Sequence, residues 1–451
     1  MKKSFFKLYG LLMIAILVAS CSKSSDLLEM VPGDAMAVAI IKPNDLAQKA
    51  NLENADLSKL PQENVQMVKE VLSGEYGVKT DQIIYFNYGR KDYLCLEISD
   101  IEKLKAKTGT EPTVEDGFNV FDIQGSKLVE KDGIGWMVDN NDYIADIKKF
   151  MSISPENAIS SLSNFSEEMA GKDIACYLNV DAVISEADLD KYSSMPGFDK
   201  LRGAACYMNL AFDKKDITLT AKLYSADGKN LMKEFCAEEI DTDILKLFDV
   251  NSTAVIAQHL SSENLKQIKE LLMASAGNAI EGAQLQTLIN WLDGDIALAC
   301  TLKNAQGFEG NDFAVAIKLK KDAQKDIEPF INTMGLSPNA EGEYNIQFSG
   351  LMIRAACKDN YLFVSTMGTP AKGFDESEHA SYFDGKCNAA FVDATTGSTL
   401  SSLLQIMTGG TKVNGYLVIG TNDEESKLQL HLENEDSNIL ASLLTIALGT
   451  I

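Results

Sequence analysis

The pattern of apolar and polar positions predicts two similar series of strands and helices along the chain. One series opens with DLLEMVPGDAMAVAIIKPNDL, Asp26 to Leu46, and a second copy, DILKLFDVNSTAVIAQHLSSENL, runs from Asp243 to Leu265. Each copy has an apolar lead-in, a turn, a short apolar run and a polar helix start, which predicts a turn, a buried strand and a helix. The chain therefore has the pattern of an internal duplication.

Further matches between the halves keep the same order along the chain. The separation is 217 residues for Asp26 and Asp243, 220 for Gly74 and Gly294, and 208 for Asn230 and Asn438. A repeat of about 215 residues has the size of a whole domain and is too long for a solenoid unit.

The same elements are expected in each half. Helices are predicted at Asn44–Leu52, Ser58–Ser73, Asp100–Lys107, Ser261–Ala276, Glu281–Asp293 and Asp322–Met334, and hairpin turns at Asn141–Asp142 and Asp359–Asn360. Because the strands are mostly linked by hairpins, the predicted fold class is α+β. It consists of two tandem duplicated domains, each a mainly antiparallel sheet with helices packed on one side. We interpret Phe118–Asp132 and Asp139–Ser154 as loops and expect any functional surface there or at the junction of the halves.

The start of the chain has the composition of a bacterial lipoprotein signal. Three lysines precede an apolar run, Leu11 to Val18, and two small residues stand before Cys21. Eight apolar residues are too few to span a bilayer, which needs about 20. Val18-Ala19-Ser20-Cys21 resembles a lipobox, which implies that the peptide is cleaved before Cys21 and that Cys21 is lipidated.

The predicted anchor implies a location in the cell envelope. No aspartate follows Cys21 directly, which resembles the rule for outer-membrane sorting and not inner-membrane retention. The periplasmic side is the expected one, while Lys23, which resembles part of a surface-export signal, leaves surface exposure as an alternative. The chain is then divided into a signal peptide at 1–20, a lipidated tether at 21–29 and repeat domains at 30–240 and 241–451. The expected partners are the membrane, through the lipid, and a cell-envelope protein.

The acidity of the chain excludes one class of partner. The net charge is −24, and removal of residues 1–20, which hold three lysines and no acids, leaves 38 basic and 65 acidic residues and a net charge of −27. A phosphate backbone would be repelled by such a surface, so nucleic-acid binding is not expected.

Seven cysteines follow Cys21, and none of them forms a CxxC pair. They are Cys95, Cys176, Cys206, Cys236, Cys300, Cys357 and Cys387. Most lie in apolar runs such as DYLCLEI, where a thiol behaves as a small buried apolar group. We therefore expect mostly free thiols, with a bridge between Cys176 and Cys206 as the exception to consider.

No motif for catalysis or metal binding is present. The three histidines, His259, His379 and His431, are far apart and do not form an HExxH pattern, and there is no GxSxG sequence. Surface or packing roles are expected for His259 and His431, and core packing for Trp136 and Trp291. The sequence predicts no catalytic, cofactor-binding or metal-binding residues and no cofactor.

A family resemblance fits this organisation. The lipobox, the tether and the opening VPGDAMAVAIIKPNDL with its return past mid-chain resemble the Bacteroides-type lipoprotein family called domain of unknown function 4836, over essentially the whole mature chain. The resemblance implies only a cellular location and a domain organisation, because the family has no established activity. We expect a non-catalytic binding or assembly component of the outer membrane. A hydrolase without a recognisable motif and a carrier of an apolar ligand are the alternatives.

Overall fold

The structure is a computed structural model, and it separates into two compact units. Unit 1 is built from residues 1–188, 200–229 and 435–451, and unit 2 from residues 189–199 and 230–434. Compared with the expected boundary at residue 240, the long segment of unit 2 begins at Asn230, and the segment from Glu435 belongs to unit 1. The structure describes residues 26–51, 62–123, 125–139, 143–184, 198–236, 238–262, 265–266, 290–303, 311–333, 337–340, 342–348, 351–366, 370–395, 401–402, 414–433 and 440.

Unit 1 contains ten described strands, and every pair of neighbours is antiparallel. They are β1 Ala37–Ile41, β2 Ile83–Tyr88, β3 Lys91–Glu97, β4 Thr113–Glu115, β5 Phe118–Ile123, β6 Ser126–Lys131, β7 Ile134–Val138, β8 Ile174–Asn179, β9 Ala205–Phe212 and β10 Asp216–Tyr224. Their order across the sheet is β4-β5-β6-β7-β3-β2-β1-β8-β9-β10. The strand predicted from the opening repeat, β1, therefore lies inside the sheet.

The described α-helices of unit 1 are short and carry recognisable start and stop signals. They are α1 Pro43–Ala50, α2 Gln62–Leu72, α3 Ile101–Thr108, α4 Tyr143–Met151, α5 Phe165–Met169 and α6 Val180–Val183. At α3 the side chain of Asp100 accepts hydrogen bonds from the backbone N–H groups of Glu102 and Lys103, and Gly109 ends the helix at φ +64°. Both features are usual helix caps, which is why α3 follows its prediction closely.

Helices cover both faces of the unit 1 sheet, so the expectation of helices on one side is wrong. Successive residues of a strand point to opposite faces. Leu94 packs in a cluster with Leu46 of α1 and Val65 of α2, whereas the next residue, Cys95, packs in a second cluster with Phe150 of α4. Because the YLCL segment of β3 is apolar at consecutive positions, both of its faces need cover.

Two-residue loops set the register of the unit 1 hairpins. Gly89 and Arg90 join β2 to β3 with φ of +58° and +64°, and Asp132 and Gly133 join β6 to β7 with φ of +53° and +81°. Positive φ at both loop residues is the requirement of a type I′ turn, whose twist matches that of the flanking strands.

Unit 2 has nine described strands, again antiparallel. They are β11 Ala254–His259, β12 Leu292–Thr301, β13 Asp312–Leu319, β14 Tyr344–Phe348, β15 Leu351–Lys358, β16 Tyr361–Ser365, β17 Asn388–Asp393, β18 Gly415–Thr421 and β19 Ser426–Leu432. Their order is β14-β15-β16-β13-β12-β11-β17-β18-β19. This is the order found in unit 1 without a counterpart of β4.

The core of unit 2 combines small strand residues with aromatic side chains from short helical turns. Its described α-helices are α7 Met232–Phe235 and α8 Gln324–Thr333. One face of the sheet buries Ala297 and Ala316 against Phe374 and Phe383, which lie in 3-10 turns at Phe374–Glu376 and Ala380–Phe383. Other 3-10 turns of the chain are Asp26–Met30, Pro155–Asn157, Ile159–Ser161, Phe198–Leu201 and Thr242–Leu247.

Several local predictions are corrected by the structure. The region Phe118–Asp132 is the β5–β6 hairpin and Asp139–Ser154 contains α4, so neither is a long loop. The turn at Asp359–Asn360 is confirmed, with φ of +51° and +65° between β15 and β16. The turn of unit 1 at the corresponding place in the strand order is Asp132–Gly133. The predicted turn at Asn141–Asp142 lies outside the described residues.

Candidate functional site

A buried polar cluster lies where three neighbouring strands of unit 2 come together. His259 is the last residue of β11, Asp295 lies in β12 and Lys318 lies in β13. The β11–β12 register pairs His259 directly with Asp295, so the two side chains share one face of the sheet. Asp295 is only 1% exposed, and a buried carboxylate requires charged or hydrogen-bonding partners.

Asp295 has such partners on both of its carboxylate oxygens. His259 Nδ1 lies 2.8 Å from Oδ1, and Lys318 Nζ lies 3.3 Å from Oδ2. The backbone N–H of Asp241 also donates to Oδ2, at 3.4 Å. Lys318 Nζ lies 2.8 Å from the carboxylate of Asp241, so the ammonium bridges two acids.

The electrostatics of the cluster favour the charged forms of His259, Asp241 and Lys318 and shift the pKa of each accordingly. The hydrogen bond that His259 donates to the Asp295 carboxylate raises the pKa of His259, and the nearby Glu238 carboxylate adds to this increase in spite of partial burial. Burial alone would raise the pKa of Asp241, but the Lys318 ammonium outweighs it and the pKa is lowered. Burial raises the pKa of the Tyr361 phenol, and the charges of Asp241 and Asp295 raise it further.

A glycine in an irregular part of β12 makes room for the imidazole. The register of β12 against β13 shifts between Leu292 and Ile296, and Gly294 within this interval has φ +100°. A Cβ atom at Gly294 would lie 2.6 Å from Cε1 of His259. The ring therefore rests against bare backbone, and irregularities of this kind are often found next to functional sites.

A cavity of about 320 Å³ opens beside His259. Its lining combines apolar side chains with charges of both signs. The lining residues are Glu238, His259, Leu260, Ser262, Leu265, Lys266, Asn290, Leu292, Asp293, Gly294 and Lys320. This volume is at the lower end of the range for small-molecule sites.

The matching positions of unit 1 hold a different set of residues. Ala257 pairs with Ala297 in unit 2 as Ile40 pairs with Ile84 in unit 1, and Ala316 and Cys95 occupy the next strand at the same level. Two residues further along each strand, unit 2 has His259, Asp295 and Lys318, whereas unit 1 has Lys42, Gln82 and Glu97. The histidine and aspartate pair is therefore a feature of unit 2.

Sequence reasoning missed this site. His259 was expected at the surface or in packing, but its side chain is 11% exposed and hydrogen-bonded to a buried acid. The available signal was Asp295 itself, because an acid at the start of the apolar run IALAC is a candidate for a paired, buried carboxylate. Of the other histidines, His379 stacks on Phe391 and His431 on Tyr416.

The cysteine predictions are partly corrected. Cys236 and Cys387 form a disulfide with Cα atoms 5.5 Å apart, which is not the pair considered from the sequence. Cys176 and Cys206 are free, as are Cys95, Cys300 and Cys357. Cys95 is fully buried, and burial raises the pKa of its thiol strongly. The predicted lipidation residue, Cys21, lies outside the described residues.

Groups of metal ligands and membrane-spanning helices are both absent from the described residues. Within the described part of the chain, no group of three or more His, Cys, Asp or Glu side chains is arranged to hold a metal ion. Among the same residues, no helix has both the length and the apolar character needed to cross a bilayer.

A second cavity, of about 450 Å³ in unit 1, is lined by Glu130, Lys131, Asp132 and neighbouring residues of the β5–β7 region.

Comparisons with known proteins do not supply a family. No family model matches the chain, and no curated protein matches it. Two solved structures, crystal forms IV and I of a protein called TP0453, align with TM-scores of 0.29 and 0.27 at 12% and 9% identity. These alignments cover 45% and 46% of this chain and 81% and 85% of those chains. TM-scores at this level carry no argument about function.

Proposed function

We propose that this protein is a lipid-anchored, non-catalytic binding component of the outer membrane, and that unit 2 binds a small ligand in the cavity beside His259. The anchor is Cys21, with the chain on the periplasmic side of the membrane. The observation that carries the binding proposal is the cavity of about 320 Å³ next to a histidine that Asp295 holds at 2.8 Å. A ring fixed by a buried acid presents its other nitrogen in a defined orientation.

We also propose that the two units are copies of one ancestral domain. The support is the identical strand order of the units apart from β4, with β1 and β11 in the same place between their neighbours. Membership of the Bacteroides-type lipoprotein family, which the sequence resembles, is a further part of the proposal. Under this view the cluster at His259 is a specialisation of the second copy, because function resides in sites grafted on a shared fold.

A ligand screen with a blocked cavity tests the binding proposal. Ser262 is exposed and lines the cavity, so Ser262→Trp should fill the space without disturbing the buried cluster. In a thermal-shift screen of small polar and amphiphilic metabolites, we expect at least one compound to raise the Tm of the natural chain and not that of the variant.

Asp423→Trp is the control, since Asp423 is exposed in the turn between β18 and β19. It should keep the response of the natural chain. If every stabilising compound acts equally on Ser262→Trp, the cavity is not the binding site.

A hydrolase is the second candidate, because Ser262 lines the same cavity as His259, whose ring is hydrogen-bonded to Asp295. A serine, a histidine and a buried acid are the groups used for acyl transfer. A fluorophosphonate probe distinguishes the two functions. Labelling that disappears in Ser262→Ala would favour the hydrolase, and a chain that stays unlabelled supports a binding role.

A further inference from the structure

The two ring nitrogens of His259 have different surroundings. Nδ1 is bound to Asp295 at 2.8 Å, while Nε2 lies 3.6 Å from Oε2 of Glu238. The second distance is too long for a hydrogen bond. When the ring is protonated, both nitrogens carry a hydrogen. The Nε2–H group is then a donor near the Glu238 carboxylate, but it makes no hydrogen bond to that carboxylate.

Glu238 is placed at this position by its chain neighbours and not by its own side chain. Cys236 is fixed by the disulfide to Cys387, and the N–H of Ile240 donates to the carbonyl oxygen of Lys386 at 2.7 Å. The Glu238 side chain, in contrast, is 76% exposed. An exposed ion pair shifts an equilibrium only about two- to fivefold, so this carboxylate is easily displaced.

The rest of the lining suits an acid with an apolar body. Leu260, Leu265 and Leu292 supply apolar contacts. Lys320 lines the same cavity and donates to the carbonyl oxygen of Asn290 at 3.0 Å, which leaves further N–H groups on the same ammonium. Lys266 and Asp293 complete the charged lining.

We propose that the ligand of this cavity is a small carboxylic acid with a short apolar body, and that its carboxylate accepts the Nε2–H hydrogen bond of His259 in place of Glu238. This rests on the proposed function and names the chemistry of its ligand. Glu238 is then a built-in competitor, which occupies the neighbourhood of the ligand carboxylate while the cavity is empty.

Histidine NMR provides the test. The chain from Ser22 to Ile451, purified with its disulfide formed and labelled with ¹⁵N-histidine, is titrated at about pH 6, near the ordinary histidine pKa, with hexanoate and with hexanamide, its neutral counterpart. We expect hexanoate to shift the Nε2 signal of His259 saturably and hexanamide to leave it unchanged. In Glu238→Gln the affinity for hexanoate should increase about two- to fivefold.

Glu239→Gln is the matched control, because Glu239 is the exposed neighbour of Glu238 and does not line the cavity. It should bind hexanoate as the natural chain does. Equal affinity in Glu238→Gln and the natural chain would overturn the role of Glu238. If hexanamide binds as well as hexanoate, judged by titration calorimetry of the same sample, the cavity is a binding site but not one selective for carboxylates. If neither probe binds and the metabolite screen is also empty, the proposed function fails with it.

Discussion

At the scale of single residues, the geometry of the candidate site depends on the absence of a side chain. Gly294 combines φ +100° with a neighbour, His259 Cε1, that lies 2.6 Å from where a Cβ would be. Its backbone carbonyl also accepts a hydrogen bond from the N–H of Leu260 at 2.8 Å. A side chain here would have to move either the imidazole or the backbone of β12.

Gly294→Ala should therefore destabilise unit 2 by about 1–3 kcal/mol and displace the imidazole of His259. Gly385→Ala is the control, because Gly385 also has positive φ, +66°, but has no atom within 4 Å of the added Cβ. Urea unfolding should show a larger loss for Gly294→Ala, and the histidine NMR signals should shift in this variant alone. Equal losses in both variants would indicate that only backbone strain matters.

At the scale of elements, sequence patterns located the elements whose signals are local. The start of α3 at Asp100, the strand β1 and the turn at Asp359–Asn360 follow from capping, apolar runs and turn residues. In contrast, the predicted helix Glu281–Asp293 extends too far, because Leu292 and Asp293 are the first residues of β12. Leu292 continues an apolar pattern that a helix and an irregular strand share, and the shift in register depends on pairing with β13.

The candidate site could not be assembled from the sequence for the same reason. Asp241, His259, Asp295 and Lys318 are distant along the chain, and only the strand pairing brings them together. The disulfide is similar, because Cys236 and Cys387 are 151 residues apart. Neither cysteine has a neighbouring partner that a spacing rule would detect.

Among the seven cysteines that follow Cys21, thiol counting of denatured, unreduced protein should find five free thiols. Replacing both bridged cysteines, Cys236→Ala with Cys387→Ala, should cost about 2–5 kcal/mol, because the bridge closes a long loop in the unfolded chain. Chemical unfolding with and without a reductant measures this difference. The variant Cys300→Ala, which removes a free thiol, should keep the sensitivity to reductant, and a count of seven thiols would contradict the bridge.

At the scale of the whole molecule, the proposed lipid anchor would determine where the two units operate. Three acyl chains at about 0.8 kcal/mol per buried methylene would make membrane attachment effectively permanent. The acidic chain, with a net charge of −24 before processing, has no comparable attraction to an anionic surface.

Cys21→Ala should abolish incorporation of an alkyne fatty acid and release the chain from the outer membrane or leave it unprocessed. Labelling of cells followed by membrane fractionation measures both effects. Ser22→Ala, next to the modified residue, should be labelled and retained like the natural chain. Label that persists in Cys21→Ala would place the lipid elsewhere.

Unit 1 is built from both ends of the chain, which under the proposed export would affect the order of folding. Leu440 packs in the same apolar cluster as Leu46, although the chain between them includes nearly all of unit 2. A chain that crosses a membrane from its N-terminus delivers Leu46 long before Leu440. Contacts between such distant residues form slowly because the intervening loop must close first. Under the proposed export, the part of unit 1 that emerges first would therefore stay incomplete in the periplasm until the last residues arrive.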